Sequence, residues 1–162
     1  MSRVTEQAHR PAPGPDTLFF AIGNCGRRDD GLGWAFVDRI QQEGQFDSPV
    51  EYRYQLQVED AALASRMASV VFVDSYKGEL EGGFQWQSCE PSENFEFTTH
   101  VLPPRAVMHY CRDLFGKNPR AYLLQIQGTH WDLQEGLSAQ ASRHLERALE
   151  DFRARLQAHP TA

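Results

Sequence analysis

Several features that would point to particular protein classes are missing from this 162-residue sequence. It has only three cysteines, Cys25, Cys89 and Cys111, and they form no Cys-x-x-Cys pair, so neither a disulfide framework nor a structural zinc site is indicated. Its longest apolar runs, such as residues 18–22, are far too short to cross a bilayer. It has no run of lysine or arginine, and a net charge of −6 argues against binding to nucleic acid, which depends on neutralising phosphates.

The amino-terminal segment also lacks the central apolar stretch of a secretory signal. Residues 1–16 instead carry basic side chains and prolines, which predicts a disordered tail and a cytoplasmic protein that does not insert into a membrane. The chain length suits one domain with one substantial core. We therefore expect a single domain over residues 17–157, a short tail at residues 158–162, and a monomer.

Apolar patterns alternate between strand and helix along the rest of the chain. The predicted strands comprise three buried runs, residues 17–22, 70–74 and 121–126, and two half-exposed segments, residues 52–56 and 84–87. The predicted helices cover residues 31–40, 59–67, the stretch from 103 to 116, and the stretch after Ser138. This alternation predicts an α/β three-layer sandwich with a mostly parallel sheet between helices, in which the segment around Phe84 is an antiparallel edge strand.

Polar residues at the ends of predicted strands are the candidates for a functional site. Asp30 lies in the loop after the first strand, Asp74 ends a second buried strand, and His100 precedes a helix. Ligands of open parallel sheets bind beyond the carboxyl ends of the strands, where the strand order reverses. Two carboxylates and one imidazole would offer an incomplete ligand set to a divalent metal ion.

Each candidate also has an ordinary structural explanation. Asp29 or Asp30 could cap the helix that follows, Asp74 could be a turn residue, and His100 could be a plain loop histidine. Cys25 could be a nucleophile with His100 as its base, or a small buried thiol. The glycine-rich loop around Cys25 does not have the Gly-x-Gly-x-x-Gly order of a dinucleotide site. The residues alone leave these alternatives open.

Four segments in order resemble the hydrogenase maturation proteases. They read FAIGNCGRRDDGLG, VVFVDSY, TTHVLPPRAVMHYCRDLFG and AYLLQIQGTHWDLQEGLS, and the similarity extends over residues 17–152. The resemblance implies a twisted, mostly parallel sheet between helices. It also implies an endopeptidase that removes a C-terminal extension from the large-subunit precursor of a nickel–iron hydrogenase after nickel has been inserted.

The same resemblance assigns roles to the candidate residues. Asp30, Asp74 and His100 would contact the nickel, which is supplied by the substrate rather than permanently bound. Asp30 or Asp74 would also act in catalysis as the base that activates water, as in an aspartyl-type endopeptidase. The alternatives are a related module that binds the nickel-loaded precursor without cutting it, and an unrelated α/β protein that binds a small ligand.

Overall fold

Strands and helices alternate along the chain in a computed structural model that describes residues 12–44, 46–93 and 102–158. The strands β1 to β5 are Thr17–Ile22, Val50–Arg53, Ser69–Tyr76, Phe84–Ser88 and Arg120–Gln127. The α-helices α1 to α4 are Leu32–Gln42, Asp60–Ala64, Pro104–Phe115 and Ala139–Ala158. Short 3-10 turns at Arg28–Gly31 and Glu81–Gly83 precede α1 and β4.

The five strands form one sheet in the order β2-β1-β3-β5-β4. β1, β2, β3 and β5 are parallel, and β4 pairs antiparallel with β5 at one edge, as the sequence predicts. From β1 the chain moves first to β2 on one side and then to β3 on the other. The strand order therefore reverses between β1 and β3, which is where open parallel sheets bind ligands.

Each face of the sheet carries its own apolar core because side chains alternate along a strand. Phe19 and Ala21 of β1 pack with α1 and α4 on one face. Phe20 packs on the other face with α2 and α3, and its ring stacks on that of Phe72 at 5.4 Å between centroids. Burying each such ring stabilises the fold by roughly 1.5–3 kcal/mol. Helices cover both faces, which confirms the predicted three-layer α/β sandwich.

The second strand lies earlier in the chain than its alternating pattern predicts. The pattern indicates residues 52–56, but β2 spans Val50–Arg53 and the chain then leaves the sheet. The Arg53 carbonyl accepts the Gly23 N–H at 2.9 Å, beyond the last residue of β1, so β1 offers no further partner. The Arg53 guanidinium and the Gln57 N–H both bind the Asp60 carboxylate, and these bonds direct the chain into α2.

Two glycines allow the loop after β1 to fold tightly against the strand ends. A side chain at Gly33, in the first turn of α1, would lie 2.4 Å from the Val73 carbonyl oxygen and 2.6 Å from that of Ile22. Gly23 has a φ of +137°, and a Cβ there would lie 2.0 Å from the Asp30 carbonyl oxygen. Only glycine fits these approaches. As a result, α1 and Asp30 are held close to the carboxyl ends of β1 and β3.

The end of α3 and the start of α4, the two longest helices, are where the sequence predicts them. α3 ends at Phe115 and is followed by Gly116 in a left-handed conformation. Ser138 caps α4, since its hydroxyl accepts the Ala141 N–H at 3.2 Å. Across the described residues, no helix has both the length and the apolar character needed to cross a membrane.

Candidate functional site

A cleft of about 460 Å³ opens at the carboxyl end of the sheet, where the strand order reverses. Four segments line it: Ile22, Gly23 and Asp30 after β1; Tyr54, Gln55 and Leu56 after β2; Asp74, Ser75 and Lys77 at the end of β3; and Leu102, Pro103 and Pro104 at the start of α3. Two of the three predicted site residues, Asp30 and Asp74, therefore share one cavity. Residues 54–56 follow the end of β2, leave the sheet and form one wall of this cleft.

Ser75 connects the two aspartates. Its backbone N–H donates a hydrogen bond to Asp74 Oδ1 at 2.8 Å, and its hydroxyl donates to Asp30 Oδ1 at 3.3 Å. Asp74 and Ser75 are consecutive residues of β3, while the tight loop after β1 brings Asp30 to them from the neighbouring strand. The two carboxylates therefore approach each other from two different strands. A residue that served only to form a turn would have no such partner.

The environment of Asp74 favours its protonated form. Burial is the largest cause, and together with the negative charge of Asp30 it raises the pKa of Asp74 from an ordinary 3.8 to about 7, although the hydrogen bonds from Ser75 oppose the shift. A cation between the two carboxylates would offset their repulsion and favour the ionised forms. A carboxylate with a pKa near neutrality is also suited to proton transfer.

Asp29 has a different role from its neighbour. Its side chain is fully buried, and its carboxylate accepts the backbone N–H groups of Thr129, His130 and Ser138 at 2.7–2.9 Å. The Ser138 hydroxyl adds a fourth bond at 2.8 Å. Burial alone would raise the pKa of Asp29, but these hydrogen bonds outweigh it, so the pKa is lowered. Asp29 therefore ties the loop after β5 to the loop after β1.

The alternative in which Asp29 or Asp30 caps the helix after β1 is wrong. Gly31 occupies the cap position of α1, and no side chain bonds to the free N–H groups there. The two carboxylates turn away from the helix end, one towards the loop at residues 128–138 and the other towards the cleft. Sequence analysis missed the anchoring role of Asp29, whose partners lie about a hundred residues later in the chain.

The third predicted residue, His100, lies outside the described residues. It precedes by two positions Leu102, which lines the cleft. Within residues 12–44, 46–93 and 102–158, no group of three histidine, cysteine or acidic side chains is placed to hold a metal ion. The described cleft therefore supplies two carboxylates, whose oxygen atoms suit a divalent cation but leave its coordination incomplete.

Sequence analysis also missed a cation at the rim of the cleft. Lys77 follows β3, and its Nζ lies over the ring of Trp131, 5.2 Å from the centroid. The loop after β5 that carries Trp131 is the one that Asp29 anchors. His130 and Asp132 of this loop are exposed, as expected for a surface loop. The acidic centre of the cleft thus has a basic and aromatic edge.

The interpretation of Cys25 as a small buried thiol is wrong, because its side chain is exposed. It follows Gly23-Asn24 in the loop after β1. Cys25 lines a separate hollow on the other side of this loop and does not line the cleft that contains Asp30 and Asp74. It is therefore poorly placed to act as a nucleophile at that site.

No protein-family model matches the chain, and no curated protein matches it by sequence. Solved structures of similar fold include the hydrogenase maturating endopeptidase HybD from E. coli, with a TM-score of 0.68 and 17% identity over 88% of this chain and 92% of that one. The [NiFe] hydrogenase maturation protease HycI from Thermococcus kodakarensis KOD1 has a TM-score of 0.67 and 23% identity over 88% of this chain and 93% of that one.

A third structure, the hydrogenase 2 maturation peptidase from a Thaumarchaeota archaeon, has a TM-score of 0.59 and 18% identity, covering 88% of this chain and 96% of its own. The predicted resemblance is therefore confirmed at the level of the fold, and it extends over almost the whole length of each structure.

Proposed function

We propose that this chain is a cytoplasmic, monomeric endopeptidase of hydrogenase maturation. Its substrate is the large-subunit precursor of a nickel–iron hydrogenase, from which it removes a C-terminal extension after nickel insertion. The proposal is supported chiefly by one observation: Asp30 and Asp74 converge in a single cleft at the strand reversal of a fold like that of hydrogenase maturation proteases.

In this proposal the substrate's nickel is what the cleft recognises. Asp30 and Asp74 would contact it, and His100 would add a nitrogen ligand. Two carboxylates and an imidazole leave nickel with open positions, so the free protein should hold the ion weakly. Nickel already held by the precursor would complete the set, and only a loaded precursor would then dock in a productive position.

The cutting step needs a water molecule and a group that accepts its proton. One aspartate carboxylate takes that proton as the water oxygen attacks the scissile carbonyl, and the proton then passes to the departing amine nitrogen. The Ser75 hydroxyl holds Asp30, and the Ser75 N–H holds Asp74, so both carboxylates keep a fixed orientation towards the cleft. Side chains at the ends of strands are positioned by the rigid sheet beneath them.

The test compares precursor purified with and without nickel. Each form is incubated with the protease, and release of the C-terminal fragment is followed by mass spectrometry. We expect cleavage of the nickel-loaded form only. Equal cleavage of both forms would show that the aspartates do not recognise the nickel. Binding of the loaded precursor without release of a fragment would instead identify a non-cleaving module.

A further inference from the structure

A second hollow of about 180 Å³ lies beside the cleft, and the polar groups in its walls are not used by the proposed reaction. Cys25 and Arg28 form one wall, Trp34 and Asp38 of α1 form another, and Leu137 closes it from the loop before α4. We call it the Arg28 hollow. The loop at residues 23–31 separates it from the cleft, because Asp30 faces the cleft and Gly31 faces the hollow.

Arg28 has one guanidinium donor without a partner in the described part of the chain. Its Nε is buried and has no hydrogen-bond acceptor. The Arg28 backbone is fixed, because its N–H donates to the Gln134 carbonyl at 2.8 Å and its φ is +49°. A buried N–H of a charged group that has lost its water without gaining an acceptor is unfavourable. A ligand that brings an acceptor into the hollow would remove this cost.

The acids near Arg28 have other partners. Asp38 lines the hollow, but its Oδ1 accepts the Tyr52 hydroxyl, and the ion pairs between described residues do not include one from Asp38 to Arg28. The neighbouring Asp29 carboxylate is saturated by the loop after β5. Arginine presents a planar fork of donors that matches the two oxygens of a carboxylate. The unpartnered Arg28 donor in the hollow is therefore suited to binding a carboxylate.

An aromatic ridge joins the hollow to the cleft. Trp34 lines the hollow, and its ring stacks on that of Tyr54, which lines the cleft, with 5.3 Å between centroids and 25° between planes. The Trp34 indole N–H is fixed by the Arg53 carbonyl at 3.2 Å, and Tyr54 is 67% exposed. An extended peptide lying in the cleft can therefore cross an apolar, accessible surface and reach Arg28.

We propose that the Arg28 hollow is a carboxylate-binding subsite for the substrate peptide. It holds an acidic side chain or the terminal carboxylate of the segment next to the scissile bond. This inference rests on the proposed function for the identity of the peptide, but the carboxylate affinity of the hollow is a property of its own and can be measured without proteolysis.

Cys25 provides the measurement, because its exposed thiol shares the hollow with Arg28. The alkylation rates of Cys25 by iodoacetate and by neutral iodoacetamide are compared in the full chain, with the modified residue identified by mass spectrometry. Cys89 and Cys111 are internal controls, since burial raises their thiol pKa values to about 12 and about 11. Arg28→Gln should lower the ratio of the iodoacetate rate to the iodoacetamide rate about fivefold.

Arg27→Gln is the matched control, because Arg27 is the adjacent arginine but is exposed and lies outside the lining of the hollow. It should change the ratio less than about twofold, since exposed charges are strongly screened. An unchanged ratio in Arg28→Gln would overturn the proposal. Should that variant not fold, the wild-type ratio is measured at rising sodium chloride concentration. A ratio that falls with salt supports a charged subsite, and a constant ratio contradicts it.

Protection of Cys25 by peptides then distinguishes the sources of the carboxylate. The probes are acetyl-triglycine with a free terminus, its amide, and the amide of acetyl-Gly-Glu-Gly. Protection by the first alone identifies a terminal carboxylate, and protection by the third identifies an acidic side chain. Equal protection by all three, or by none, would show that the hollow does not recognise a peptide carboxylate. Loss of precursor cleavage would not affect this result, so the two proposals fail separately.

Discussion

Asp29 and Asp30 are adjacent in the chain, yet their carboxylates lie in opposite environments. Asp29 is fully buried and accepts four short hydrogen bonds that join two loops. Asp30 faces the cleft, where the Ser75 hydroxyl is its side-chain partner in the described structure. The comparison shows that an acid is stabilising where donors surround it and available for chemistry where they do not.

The same contrast separates Asp29 from Asp74. Asp29 lies in the loop after β1 and Asp74 lies near the end of β3. Hydrogen bonds lower the pKa of Asp29, whereas burial beside another acid raises the pKa of Asp74. One carboxylate contributes to the free energy of unfolding, and the other costs stability when ionised. We therefore expect substitutions at these two acids to separate folding from function.

The largest effect should be on processing, through the three predicted site residues. Asp74→Asn, Asp30→Asn and His100→Ala should each reduce cleavage of the nickel-loaded precursor about a thousandfold, because under the proposed function each would lose a charge or ligand needed for recognition and chemistry. Cleavage is measured by mass spectrometry of the released fragment, and folding by a cooperative thermal melt.

Asp47→Asn serves as the control for these variants, since Asp47 is exposed and precedes β2, at the amino end of the strands and away from the cleft. It should cleave at the wild-type rate. Wild-type cleavage by Asp30→Asn and Asp74→Asn would contradict the assignment, and loss of the melt in these variants would return both acids to a structural role.

The next effect should be on stability, at the acid that the cleft does not use. Asp29→Asn replaces an acceptor of N–H groups with a side chain that presents one donor to them. We expect the free energy of unfolding, measured in urea at neutral pH, to fall by about 3 kcal/mol. Asp132→Asn in the same loop, where the side chain is exposed, should change it by less than about 0.5 kcal/mol. Similar values for the two variants would refute the anchoring role of Asp29.

A smaller loss of stability should follow from separating α1 from the strand ends. In Gly33→Ala the new methyl group would meet the carbonyl oxygens of Val73 and Ile22, and these backbone atoms cannot rotate away. We expect a cost of about 2 kcal/mol, typical of overpacking. Gly14→Ala is the control, because a Cβ there meets nothing within 4 Å. Equal urea midpoints in the two variants would show that α1 adapts easily.

The sequence predicts the layers of this fold better than the details of its site. Continuous apolar runs identify β1, β3 and β5, because burial on both faces of a parallel sheet selects them. The alternation at Tyr52 extends past the end of β2, since an exposed Tyr54 and a buried Leu56 form the same pattern in a cleft wall. An alternating apolar pattern therefore does not distinguish a strand face from the wall of a cleft.

For the site, the strand-end rule leads correctly from sequence to the cleft shared by Asp30 and Asp74. This rule cannot tell which of Asp29 and Asp30 faces the cleft, because the difference arises from partners of Asp29 about a hundred residues away. It also cannot identify Lys77 or Arg28, whose roles depend on contacts with Trp131 and with the hollow. The role of His100 stays a prediction from its position in the sequence.

The last prediction concerns the pH dependence of stability, and it is the sharpest test of the contrast between Asp29 and Asp74. The folded-state pKa of Asp74, about 7, lies above its ordinary 3.8, so its contribution to stability is fully present below pH 3.8 and is lost as the pH rises through about 7. Asp74→Asn should therefore match the wild type at low pH and be the more stable of the two at about pH 8. Asp29 has a lowered pKa, so the penalty of Asp29→Asn should be complete at neutral pH and shrink as the pH falls below the ordinary carboxyl range. Urea unfolding of both variants and the wild type across this range measures the two curves. Curves of the same sign would mean that the two acids share one kind of environment, and the distinction between an anchoring and a reactive aspartate would be lost.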